Sequence, residues 1–123
     1  MPHPRHELGR AAERAVADWL TAHEWRILAA RHRSSAGEID LVALDPDRCL
    51  VAVEVRLRSS GRAGDAVASV RPRHLRRVTA ALAAFARGEA IPHDGLRVDL
   101  VAVVPGPSPG TWRLTRVPAV DAW

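Results

Sequence analysis

Two neighbouring stretches of the chain, Gly37-Glu38-Ile39-Asp40-Leu41-Val42 and Val51-Ala52-Val53-Glu54-Val55-Arg56, set carboxylates within aliphatic runs that read as strand cores. A carboxylate withdrawn from water is costly unless a cation, a proton or a guanidinium answers it. The chemistry that follows is metal binding, ion pairing or acid–base catalysis. With a turn centred at Asp47, Asp40 lies opposite Glu54, and directly opposed side chains leave one face with Cβ atoms about 4.5–5.5 Å apart. Two like charges that close repel, so a divalent cation is a natural resident. Arg56 and Glu38 project from the same face. A half-residue slip of the turn would send Asp40 and Glu54 to opposite sides of the sheet. The same alternation also describes a solvated face on which Glu38, Asp40, Glu54, Arg56 and Arg58 form cross-strand ion pairs, each worth little.

The elements that must position these groups are legible from periodicity. Leu8 to His23 is helical, with Leu8, Ala12, Val16, Trp19 and Leu20 on one stripe and Glu13 at its edge. Arg26 to His32 forms a first strand, closed by the turn Ser34-Ser35-Ala36-Gly37, and Glu38 to Leu44 a second. Asp45-Pro46-Asp47 is strong turn chemistry, and the third strand runs from Leu50 to Arg58. A loop from Ser59 to Gly64 leads to a helix over Asp65 to Arg87 that buries Val67, Val70, Val78, Leu82 and Phe85. Because Pro72 is tolerated only in a first turn, the main helix is expected to begin near Arg71 after a separate short turn. Leu96 to Val104 reads as a central fourth strand and Thr111 to Val117 as an edge strand. A tight turn makes strands antiparallel, whereas a helical connection favours a parallel crossover, so the sheet is mixed.

Composition sets the outer limits. The chain has 123 residues, 47% of them hydrophobic and 26% charged, which suits one globular domain over residues 1–123 and argues against disorder. All 18 basic residues are arginine, and the net charge of +4 suits a polyanionic partner. Cys49 is the sole cysteine, so neither an internal disulfide nor a thiolate zinc site is available. The first residues lack the apolar stretch of a signal peptide, and no segment is long and apolar enough to cross a bilayer. A cytoplasmic protein without a membrane partner is expected, and a homodimer is compatible with these residues.

The order of the segments carries a resemblance. Gly9 and Glu13 on the first helix, Arg31 and Arg33 on an arginine-rich strand, Gly37 to Leu41, Glu54 to Arg58, the helix after Val70, and Arg97-Val98-Asp99-Leu100-Val101 together resemble the YraN family of small bacterial proteins. That family is similar to the restriction-endonuclease-like nucleases with the PD-(D/E)xK signature, Holliday-junction resolvases among them. The resemblance spans nearly the whole chain. It implies a three-layer α/β/α sandwich around a mixed five-stranded sheet, and a metal-dependent endonuclease that hydrolyses DNA phosphodiester bonds with Mg²⁺ or Mn²⁺. Asp40 and Glu54 then become metal-binding carboxylates, the Val55 carbonyl a further ligand, and Glu13 an acidic helper. The alternative is a catalytically inactive module of this fold that binds DNA or a protein. This chain departs from the signature at its lysine, where Arg56 stands. Arginine keeps the charge and grips phosphate bidentately, but with a pKa above about 12 it takes no proton from an attacking water.

Among other candidates, Arg71, Arg73, His74, Arg76 and Arg77 cluster around the start of the second long helix, where backbone amides also attract phosphate. With Arg31, Arg33 and Arg58 they form the expected nucleic-acid contacts; a solvated helix face is the plainer reading. His74, with an ordinary pKa near 6.5, is also a candidate proton shuttle. Trp19 and Trp25 are expected in the core, and Asp99 is expected to pair with a neighbouring arginine.

Overall fold

The computed structural model describes residues 4–59 and 63–122. Nine elements follow in order: helix α1 (Pro4–Ala22), strands β1 (Arg26–Ser34), β2 (Gly37–Leu44) and β3 (Cys49–Leu57), helices α2 (Ala63–Ala68) and α3 (Pro72–Glu89), strands β4 (Gly95–Pro105) and β5 (Trp112–Val117), and a 3₁₀ turn at Val120–Ala122. The five strands form one sheet in sequence order. β3 and β4 are parallel, joined through α2 and α3, and every other neighbouring pair is antiparallel. Two apolar clusters lie on the two faces. Ala12, Val16 and Leu20 of α1 meet Leu41, Val51, Val53 and Val101, while Val78, Leu82 and Phe85 of α3 meet Val42, Leu50, Ala52 and Leu100. This is the three-layer α/β/α sandwich with a mixed five-stranded sheet, consistent with a restriction-endonuclease-like fold.

The helical stretch after β3 is divided. α2 ends at Ala68 and α3 begins with Pro72 in its first turn, behind the extended Arg71. Proline presets the helical φ there, and its missing N–H costs nothing where amides have no intrahelical partner. Part of the expected loop from Ser59 to Gly64, residues 60–62, lies outside the described residues. One apolar expectation is corrected: Leu8, expected on the apolar stripe of the first helix, is 49% exposed.

Asp99 is fully buried on the α1 face and meets the arginine expected for it, and more. Its carboxylate takes Arg97 Nε at 2.7 Å, Arg116 Nη1 at 2.9 Å and the Ala119 amide at 3.0 Å. Arg97 continues to Asp45 at 3.0 Å, and both guanidinium groups lie over the buried Trp25 ring. This network satisfies its own charges and clamps β4, β5 and the β2–β3 turn together. No helix among the described residues is long and apolar enough to cross a membrane.

Candidate metal and phosphate site

The hairpin register is the one that a turn centred at Asp47 dictates, from Leu44 opposite Leu50 to Leu41 opposite Val53. The next pair, Asp40 with Glu54, is not a ladder pair. Side-chain alternation on β2 breaks just there, since Ile39 and Val42 face α3 whereas Leu41 faces α1. Across the β1–β2 ladder from this break sits Arg31, whose backbone is left-handed (φ 51°), a strained state for a residue with a Cβ. β2 and β3 part, and Asp40 fills the gap: its Oδ2 accepts the Val55 N–H at 2.9 Å. In an extended strand the N–H and C=O of one residue leave along the same edge, so the Val55 carbonyl faces this gap as well.

Glu54 follows the alternation of Leu50 and Ala52 toward α3, and it is 3% exposed, which removes it from any solvated face. Burial first, then a hydrogen bond to Asp40 and the charge of Asp40, push its pKa from 4.5 up to about 9, against the opposing pull of Arg56. The Glu54 carboxyl is therefore protonated at neutral pH. His74 Nε2 lies 3.2 Å from Glu54 Oε1. Burial and the neighbouring Arg56 lower the His74 pKa, so this contact joins a neutral imidazole to a neutral acid rather than two ions. Arg56 completes the group, with its Nε buried and unpartnered.

Two carboxyl groups sharing a proton where a cation could sit fit a hard divalent ion. The oxygen donors, Asp40, Glu54 and the Val55 carbonyl, suit Mg²⁺ or Mn²⁺. Among the described residues no three His, Cys, Asp or Glu side chains gather as a metal cluster, so such an ion would keep several waters, as Mg²⁺ commonly does.

The structure thus brings Asp40, Glu54, Val55, Arg56 and His74 together. Glu13 is held by Arg31 at 3.0 Å in a pocket with Arg10, Arg14, Ala17, Ala30 and Leu41. Arg33 meets Glu38 at 3.5 Å, and Arg58 bonds Ser69. Arg71, Arg73, Arg76 and Arg77 are exposed around the start of α3 but do not share a face. Arg76 lines a groove with Leu75, Thr79 and Asp121, roughly opposite His74 at 100° per residue. Arg77 lies against Gly37, whose φ of 149° disfavours any side chain there, although a Cβ would meet Arg77 only at ordinary contact distance. Sequence reading had His74 as a phosphate contact or proton shuttle and missed its bond to Glu54. The available signal was its place four residues before the buried Val78, on the stripe that α3 turns to the sheet.

Comparison with known proteins gives one consistent grouping. A family model described as uncharacterised protein family UPF0102 matches residues 12–103. A UPF0102 protein of Sphingopyxis alaskensis is 42% identical over 97 residues, 79% of this chain and 81% of the relative. One from Anaeromyxobacter dehalogenans is 43% identical over 102 residues, covering 83% and 75%, and one from Maricaulis maris 41% over 115 residues, covering 93% and 88%.

Proposed function

We propose that this chain, which belongs to the uncharacterised protein family UPF0102, the YraN family its motifs resemble, binds DNA and cleaves its phosphodiester backbone with the help of Mg²⁺ or Mn²⁺. The observation that carries this reading is the gap between β2 and β3, where Asp40, Glu54 and the Val55 main chain converge. A bound ion there supplies charge neutralisation at phosphorus and a more acidic water. The residues do the rest. Asp40 and Glu54 would hold the ion, and the Asp40–Val55 bond fixes the orientation of one carboxylate. Arg56, whose Nε is buried and unpartnered, sets a guanidinium charge beside the pair. His74 orients Glu54 from α3, and Glu13 fixes Arg31. The start of α3 has no acidic residue in its first turn and no side-chain cap, so its free amides, with Arg71, Arg73, Arg76 and Arg77, suit backbone phosphates. Arg31, Arg33 and Arg58 extend the basic surface.

Arg56 favours a second reading, a nuclease-fold module that binds DNA or a protein without cutting. A guanidinium cannot exchange a proton at neutral pH. Incubating plasmid, single-stranded and junction DNA with Mg²⁺ or Mn²⁺ separates the two. Cleavage by the wild type that is lost in Asp40→Ala and Glu54→Ala is the expected result. Cleavage that persists in both variants defeats the nuclease reading, and cleavage that appears only in Arg56→Lys establishes the silent module.

A further inference from the structure

On the α1 side of the sheet, a pocket of about 340 Å³ opens between the first turns of α1 and the tips of β1 and β2, lined by His6, Arg10, Arg31, Arg33 and Glu38. Three guanidinium groups from two elements converge on it. Two are steadied by carboxylates, Arg31 by Glu13 at 3.0 Å and Arg33 by Glu38 at 3.5 Å. Arg10 has no carboxylate partner among the described residues. The Arg33–Glu38 pair is open to water, with side chains 80% and 51% exposed, and an exposed pair of this kind is worth about 0–1 kcal/mol at most. An incoming anion therefore displaces Glu38 at little cost, and a phosphate, which accepts two parallel N–H bonds from a guanidinium, is the anion that the donors suit. The strained backbone of Arg31 belongs to the same wall, where strain persists only because the surroundings enforce it. The pocket reaches toward the gap between β2 and β3, since Glu38 stands two residues before Asp40 on β2.

We propose that this pocket binds a phosphodiester group of a nucleic-acid strand, flanking the phosphate that the Asp40–Glu54 pair receives, with Arg10, Arg31 and Arg33 as donors and Glu38 as the group displaced. The assignment rests on the nucleic-acid reading above and adds to it a second anchor on the α1 side of the sheet, so that a strand is gripped on both sides of the gap between β2 and β3.

The test is binding of a fluorescein-labelled single-stranded DNA oligonucleotide in EDTA, followed by anisotropy across a salt series, with folding of each variant checked by circular dichroism. Arg10→Gln, an exposed helix position, weakens binding roughly fivefold to tenfold at low salt and lowers the slope of log K against log salt by about 0.7. Glu38→Gln tightens binding roughly twofold to fivefold, because it removes the competing carboxylate. Arg48→Gln, which breaks an exposed pair with Asp94, serves as the reference for losing one positive charge elsewhere. Equal losses for Arg10→Gln and Arg48→Gln, or no gain for Glu38→Gln, overturn the assignment. Competition by micromolar inorganic phosphate would make the free anion the ligand and overturn the strand. No binding by the wild type overturns this inference together with the nucleic-acid reading. Absence of cleavage in parallel Mn²⁺ reactions, with the Arg10 and Glu38 effects intact, counts against the nuclease alone and leaves the pocket supported.

Discussion

Replacing Glu54 by glutamine keeps the shape of the side chain and removes its titration, which isolates the physical state of the buried pair. In the folded protein Glu54 is protonated up to a pKa of about 9, and in the unfolded chain it ionises near 4.5. The native state then holds one proton that the unfolded state lacks. Stability from this group is fully present below pH 4.5 and is lost as pH rises toward about 9. One proton corresponds to about 1.4 kcal/mol per pH unit, so between pH 7 and 9 the wild type loses about 2–3 kcal/mol through Glu54. That is a large share of a total of about 5–15 kcal/mol. The window avoids His74, whose lowered pKa confines its own titration to more acidic solution. Urea denaturation of wild type and Glu54→Gln in EDTA at pH 7, 8 and 9 measures the difference, in which the groups common to both proteins cancel. The glutamine variant is expected to gain on the wild type by roughly 1 kcal/mol per unit, less as pH nears 9. Excess Mn²⁺, which competes with the proton, flattens the wild-type slope. A stability difference that stays constant across the three pH values refutes the buried, protonated Glu54 and the cation site inferred from it.

Two further substitutions test the frame around the site. Asp99→Ala leaves Arg97 with Asp45 alone, strips Arg116 of its carboxylate and leaves the Ala119 amide unsatisfied, so urea unfolding should show a loss of about 3–5 kcal/mol; a loss below about 1 kcal/mol would mean that the network is incidental. Ala90 ends α3 in the left-handed region (φ 51°) where glycine is at ease, so Ala90→Gly should stabilise the protein by about 1 kcal/mol. An unchanged or lower melting temperature contradicts that cap geometry.

The chain's linear pattern decided the elements and the mixed sheet, and it offered the observed hairpin register as one of two frames. Side chains with a period of 2 tie register to burial, so a turn centred at Asp47 left one frame that buries Leu41, Val51 and Val53 together. Pro72 likewise marked the start of α3, because a residue without an N–H fits only where no helical bond is due. Asp99 was readable as an ion-paired residue for the same local reason, an arginine two positions away on the same face.

The state of Glu54 and the company of His74 were decided by the tertiary structure alone. Protonation depends on how much water the fold removes and on which charges it brings near, and those neighbours come from β2 and α3, far along the chain. The break in alternation beside Asp40 lies across the ladder from the left-handed Arg31 on another strand, and no periodicity in β2 announces it. The pocket that draws Arg10 to Arg31 and Arg33 has the same origin, since a helix and a strand become neighbours only when the hydrophobic stripe of Ala12, Val16 and Leu20 packs onto the sheet. Residue types set which charges the molecule carries; distance and desolvation, which exist only after folding, determine which of them act as acids, ion partners or phosphate donors.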